Sequence, residues 1–145
     1  MKRWMWLALA AVIVIGAGVT LVAVPNEQQE WTTSSPEALA AFEAGMAAQM
    51  KLYWSDAQEY FATAAELDPD FVMAKLMCVD QSMKKEKAEG EALFEEVLAA
   101  DTSMLTLREQ FFIERARAAH EERREDIPKI VDQYLAKIPN DPYVL

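Results

Sequence analysis

Beyond residue 25, this chain of 145 residues contains only two glycines, Gly45 and Gly90. A sheet protein needs many tight reversals, and those reversals draw on glycine for backbone angles that other residues resist. Alanine, methionine and glutamate recur instead, all good helix formers. The expected fold class is all-α. With the first two dozen residues set aside, roughly 120 remain, enough for one small domain with its own core.

Residues 1–25 differ from everything after them. Met1-Lys2-Arg3 is basic, and an uncharged run follows from Trp4 to Val24. Wound as a helix at about 1.5 Å per residue, that run matches a hydrocarbon core of about 30 Å. A cleaved leader has a shorter apolar region and small residues before its cut, whereas here Leu21 stands three residues back from a cut after Ala23. The reading is a retained signal-anchor, one N-terminal transmembrane helix, with secretion after cleavage as the alternative. Lys2 and Arg3 precede the run, while Glu27 and Glu30 follow it. The positive-inside rule then leaves the amino terminus in the cytoplasm and the domain on the periplasmic side of a bacterial inner membrane. Residues 26–35, rich in Gln, Glu, Thr and Ser, read as a short flexible polar linker. The folded domain is expected over 36–145.

Net charge is −10, and without Lys2 and Arg3 the balance is 12 basic against 24 acidic residues. Such a surface repels phosphates, so a nucleic-acid partner is not expected. Chemistry is equally sparse. Cys78 is the only cysteine and His120 the only histidine. Cys78 lies in an apolar helical run and reads as a small core residue. His120 lies in a charged stretch and reads as surface. Glu121, Glu122, Glu125 and Asp126 are interleaved with Arg123 and Arg124, the pattern of surface ion pairs rather than of a metal site. No glycine-rich phosphate loop, paired-cysteine motif or HExxH occurs. The expectation is no enzyme, no cofactor and no metal.

Helix signals are regular. Ser35 suits an N-cap and Pro36 the first position of a helix over about 36–51, with Leu39, Phe42, Met46 and Met50 on one stripe. Ser55-Asp56-Ala57-Gln58 reads as a capping box opening a second helix that stops at Leu67-Asp68, and Pro69 suits the start of a third. Further helices are expected over about 70–84 and 87–100, then from a capping box at Thr106-Leu107-Arg108-Glu109 and from near Asp126. Asp141-Pro142-Tyr143 resembles the start of one more.

Counted from Ala38, the chain places Gly45, Ala57, Phe61, Ala64 and Pro69 at the eighth, twentieth, twenty-fourth, twenty-seventh and thirty-second positions. In these places the segment 38–71 resembles the tetratricopeptide repeat, a helix–turn–helix unit of about 34 residues. A second unit over about 71–104 matches more loosely through Cys78, Gly90, Phe94 and Val97. A third over 111–145 matches through Ala118, Ile130, Tyr134 and Pro142. The second junction holds an insertion near Asp101–Met104. The resemblance implies a stack of about three helical hairpins, each burying apolar surface its neighbour cannot hide alone.

It also implies a concave groove, lined by the first helix of each hairpin, that holds a peptide or a partner helix. By position the groove residues are Leu39, Phe42, Met46 and Met50, then Val72, Lys75, Val79 and Met83, then Phe112, Arg115 and Arg123. Met46 and Val79 stand where the family's clamp for carboxy-terminal peptides has asparagine, so that ligand is not implied. The functional expectation is a membrane-tethered protein–protein interaction module, an adaptor or assembly factor. The alternative is an extracytoplasmic sensory or accessory domain of a larger bacterial regulator, since Leu107–Asp141 resembles repeats fused to such proteins. Apolar surface at the end of the stack implies cover from a partner or a second copy.

Overall fold

The structure, a computed structural model, describes residues 30–144. The expected span from Trp4 to Val24 lies outside the described residues, and no described helix is long and apolar enough to cross a membrane. Among the described residues there are six α-helices and no strand. They are α1 (Pro36–Met50), α2 (Trp54–Leu67), α3 (Val72–Lys85), α4 (Lys87–Ala99), α5 (Leu107–His120) and α6 (Ile127–Leu135). Consecutive helices pair as antiparallel hairpins, and the hairpins stack in chain order.

Close approach within the first two hairpins depends on the two glycines. A Cβ added at Gly45 would stand 2.5 Å from the Phe61 ring of α2. One added at Gly90 would stand 2.4 Å from the backbone nitrogen of Met83 on α3. Both distances are too short for non-bonded atoms, so a larger residue must displace the Phe61 ring at the first site and the α3 backbone at the second.

The ends of α1 and α5 share one device. Leu52 adopts a left-handed conformation (φ 64°), and the Tyr53 N–H donates to the Ala48 carbonyl at 2.9 Å while Leu52 N–H donates to Gln49. At α5 the left-handed residue is Glu122 (φ 59°), and the Arg123 N–H reaches the Ala118 carbonyl at 2.8 Å. These are Schellman turns built without glycine. The first delivers the chain straight into α2 with Tyr53 as the flanking residue, so Ser55 lies inside the helix and the expected capping box is not formed. Pro69 likewise sits in the turn before α3 rather than at its first position, because Asp68 bonds the Asp70 N–H and the Phe71 N–H bonds the Asp68 carbonyl. The Ser35 cap and the Thr106/Glu109 capping box form as expected.

Residues 30–35 are not a flexible linker. Trp31 is fully buried and belongs to the main core, meeting Phe42 of α1 edge-on at 4.8 Å, Phe112 of α5 at 6.2 Å and Tyr143 at 5.6 Å. Phe42 continues this aromatic chain to Phe61 and Phe71. Burying an aromatic side chain of this size removes about 150–250 Å² from water, worth about 4–6 kcal/mol. Polar neighbours lock the segment. Glu109, itself fully buried, accepts from the Thr32 N–H and hydroxyl at 2.6 Å each and from the Thr106 N–H at 2.8 Å. The Thr33 hydroxyl donates to Asp68. The composition of 26–35 suggested solvent, but one indole with a prepared cavity outweighs several small polar groups.

The chain's last described turn completes the clasp. Asp141–Val144 does not begin a further helix. Asn140 takes a left-handed conformation, and the buried Asp141 carboxylate accepts from Arg108 Nε at 2.8 Å, the Tyr134 hydroxyl and the Tyr143 N–H. The Arg108 guanidinium lies 5.3 Å from the Trp31 ring and 5.0 Å from the Tyr143 ring, and also pairs with Glu30 at 3.1 Å. Desolvation alone would raise the Asp141 carboxyl, but the bonds from Tyr134, Arg108 and the Tyr143 N–H outweigh it and hold it below the usual range. Burial, aided by the neighbouring Asp141, pushes the Tyr134 hydroxyl up to about 12.

Trp31→Ala is expected to destabilise the protein by about 3–5 kcal/mol in urea unfolding, through lost transfer energy plus a cavity. A loss under 1 kcal/mol would show that the segment only rests on the surface. The titrations set a second expectation. Asp141, with its depressed value, contributes stability above about pH 4 that is lost as pH falls through its folded value. Tyr134, with its raised value, contributes stability below about pH 10 that is lost between about pH 10 and 12. Urea midpoints should therefore put Asp141→Asn about 1–3 kcal/mol below the wild type near neutrality, with the gap closing towards about pH 3. A gap independent of pH would refute the assignment.

Candidate functional site

The stack is not equally tight along its length. α2 packs broadly on α3, whereas α4 meets α5 at only a few residues. Between the second and third hairpins the loop 100–106 takes up the separation with a 3₁₀ turn at Thr102–Met104, and Gln110 Nε2 donates to the Thr102 and Leu105 carbonyls to hold it. The looser junction leaves an open cleft of about 1200 Å³.

Its walls are α3, through Leu76, Met77, Val79 and Met83, and α5, through Phe112, Arg115, Ala116 and Ala119. The first hairpin adds Gln49, Trp54 and Gln58 to the lining, and α6 adds Ile127 and Val131. Phe94 is also part of the lining and meets the His120 ring edge-on at 4.8 Å. The surface is mixed, polar and apolar in nearly equal parts. Its charged members are Lys84, Arg115 and Arg124, with Asp80 opposing them. The Arg115 guanidinium lies 5.8 Å from the Phe112 ring, so the cation shares its face of α5 with an aromatic platform. Gln58 Oε1 is buried and has no hydrogen-bond partner within the protein.

The eleven groove positions separate into three sets. Val79, Met83, Phe112 and Arg115 line the cleft. Phe42, against which Trp31 packs, and Met46 are core residues, and Leu39 and Val72 pack against the same core half-buried. The expectation that α1 offers an open groove is therefore corrected: the chain's own residue 31 fills that part. The rest lie elsewhere. Met50 is exposed at the α1–α2 turn together with Leu52, Tyr53 and Trp54. Lys75 pairs with Glu96 across the second hairpin. Arg123 binds Asp126 at 2.7 Å, Glu121 at 2.8 Å and Glu114 at 3.5 Å, which raises its already high pKa and leaves it no free donor face.

Lys84, Arg124, Ile127 and Val131 were missed in the groove assignment. Ile127 and Val131 carry a signal, being one turn apart on the same helix face. Lys84 and Arg124 carry none, since charged residues near helix ends are ordinary surface.

Among the described residues no group of three His, Cys, Asp or Glu side chains is placed to hold a metal ion. Cys78 is half-buried, and desolvation pushes its thiol up despite Lys85 nearby. No family model matches this chain, and neither a curated protein nor a solved structure matches it.

A thiol so placed is slow to ionise. Cys78 should react with a disulfide reagent at pH 7.5 at least about tenfold more slowly in the native chain than in denaturant. Equal rates would mean an open, activated thiol and would reopen the question of chemistry at this position.

Proposed function

We propose that the chain is a polypeptide-binding module, a stack of helical hairpins resembling tetratricopeptide repeats, that receives a segment of another protein in the cleft between α3 and α5. The observation that carries this reading is the cleft itself. It draws side chains from all three hairpins and stands open to solvent. Small-molecule sites are typically about 300–1,000 Å³ and nearly enclosed, so an open trough of this size suits an extended or helical segment better. Met77 and Met83 on its wall give a surface that can adapt to varied apolar side chains. The repeat resemblance supports the same conclusion, through the five matched positions between Gly45 and Pro69. The apolar run from Trp4 to Val24 supports a membrane tether with the domain on the periplasmic side.

Photo-crosslinking in cells tests the binding reading. A benzophenone residue placed at Met83 or Val131 should give discrete polypeptide adducts, whereas one at Thr63, exposed on α2, should not. Adducts of equal pattern at all three positions would count against the cleft. A reporter fused after Leu145 should be active only outside the cytoplasm. Cytoplasmic activity would sink the proposed topology.

A further inference from the structure

Building on the cleft as a binding site, we propose that its occupant is an amphipathic helix of a partner protein whose polar face carries carboxylates. Three observations converge on this chemistry.

The first is the state of the cations. Lys75, Lys87, Arg108, Arg117 and Arg123 all form ion pairs among the described residues. Lys84, Arg115 and Arg124 form none there, although the chain holds 24 acidic residues against 14 basic ones. These three line the same cleft, with Asp80 the single carboxylate among its lining residues. Four other described cations without an ion pair, Lys51, Lys85, Lys129 and Lys137, are exposed and scattered outside it. With three unpaired cations against one carboxylate, the cleft lining carries a local charge opposite in sign to that of the whole protein, which favours an anionic partner and steers its approach.

The second is the form of the walls. Leu76, Val79 and Met83 on α3 recur at intervals of three and four, as do Phe112, Ala116 and Ala119 on α5 and Ile127 and Val131 on α6. Ridges at this spacing accept the ridges of another helix. The third is room. A helix about 10 Å across, rising 1.5 Å per residue, displaces roughly 120 Å³ per residue, so the cleft has space for roughly ten residues, or nearly three turns.

The apolar face of such a helix meets Met77, Met83 and Val131, while its carboxylates meet Arg115, Arg124 and Lys84.

A charge-reversal experiment decides the matter. The probe is a fluorescein-labelled synthetic 14-residue peptide with leucine at one helical face and glutamate at the other, beside a twin with lysine for every glutamate. Anisotropy is read on the purified full chain in zwitterionic nanodiscs, with empty nanodiscs subtracted. The glutamate peptide should saturate the wild type and weaken at least tenfold on Arg115→Glu/Arg124→Glu, both exposed positions whose reversal leaves thermal unfolding unchanged. The lysine twin should bind the double variant better than the wild type, and rising salt should weaken each matched pair. Equal binding of both peptides, indifference to the reversal, or no saturable binding would overturn the proposal. If both peptides bind alike and Ala119→Trp abolishes both, the cleft stands as a polypeptide site and only the acidic helix is refuted. Concentration-dependent self-association lost in the double variant would instead assign the cleft to a second copy of this chain.

Discussion

Trp31 is where otherwise separate parts of this fold are joined. Its indole touches the first hairpin through Phe42, the third through Phe112 and the final turn through Tyr143, while the Arg108 guanidinium lies against it. A stack of hairpins is stabilised mainly between neighbours, so its two ends are normally independent. Here an indole supplied from outside the helices ties the first unit to the last. That bond compensates for the sparse junction between α4 and α5, which would otherwise be the weak point of the array.

The polar groups around the indole explain why it docks in one register. Glu109 has two tasks, closing the capping box of α5 and accepting both donors of Thr32. A buried carboxylate without a cation is costly unless its oxygens are filled, and three donors within 2.8 Å fill them. Arg108, one residue earlier, works through Asp141 in the same way. α5 thus carries the receptor for the segment 30–33 and for the turn 141–143 within its first turn. Its later turns, from Phe112 to Ala119, are left to form the cleft wall.

Helix positions and the tight places within hairpins were legible because they obey a period. Gly45 and Gly90, sixteen residues from Phe61 and seven from Met83 respectively, stand where a small residue is required for helices to touch. The N-cap at Ser35 and the box at Thr106 were readable from residue type alone. What lay hidden obeys no period. Trp31 is one aromatic in a polar stretch, and nothing nearby in sequence marks the cavity that awaits it. Leu52 and Glu122 take the left-handed conformation usually left to glycine, so their turns leave no trace in composition. Of the candidate groove positions, Val79, Met83, Phe112 and Arg115, chosen by repeat position, line the cleft. Phe42 and Met46 were misplaced because the same stripe can face a groove or a plug, and only the path of residues 30–35 decides which.

The position of Trp31 also determines how the domain bears load. Residue 30 lies beside the first turn of α5, where Glu109, seventy-seven positions along the chain from Thr32, grips that residue. Tension applied from the amino-terminal side therefore does not peel α1 from its end. It is met first by the Glu109, Arg108 and Trp31 contacts, and passes through them into the third hairpin. Pulling on the chain thus loads the clasp that closes the stack before it loads any single helix.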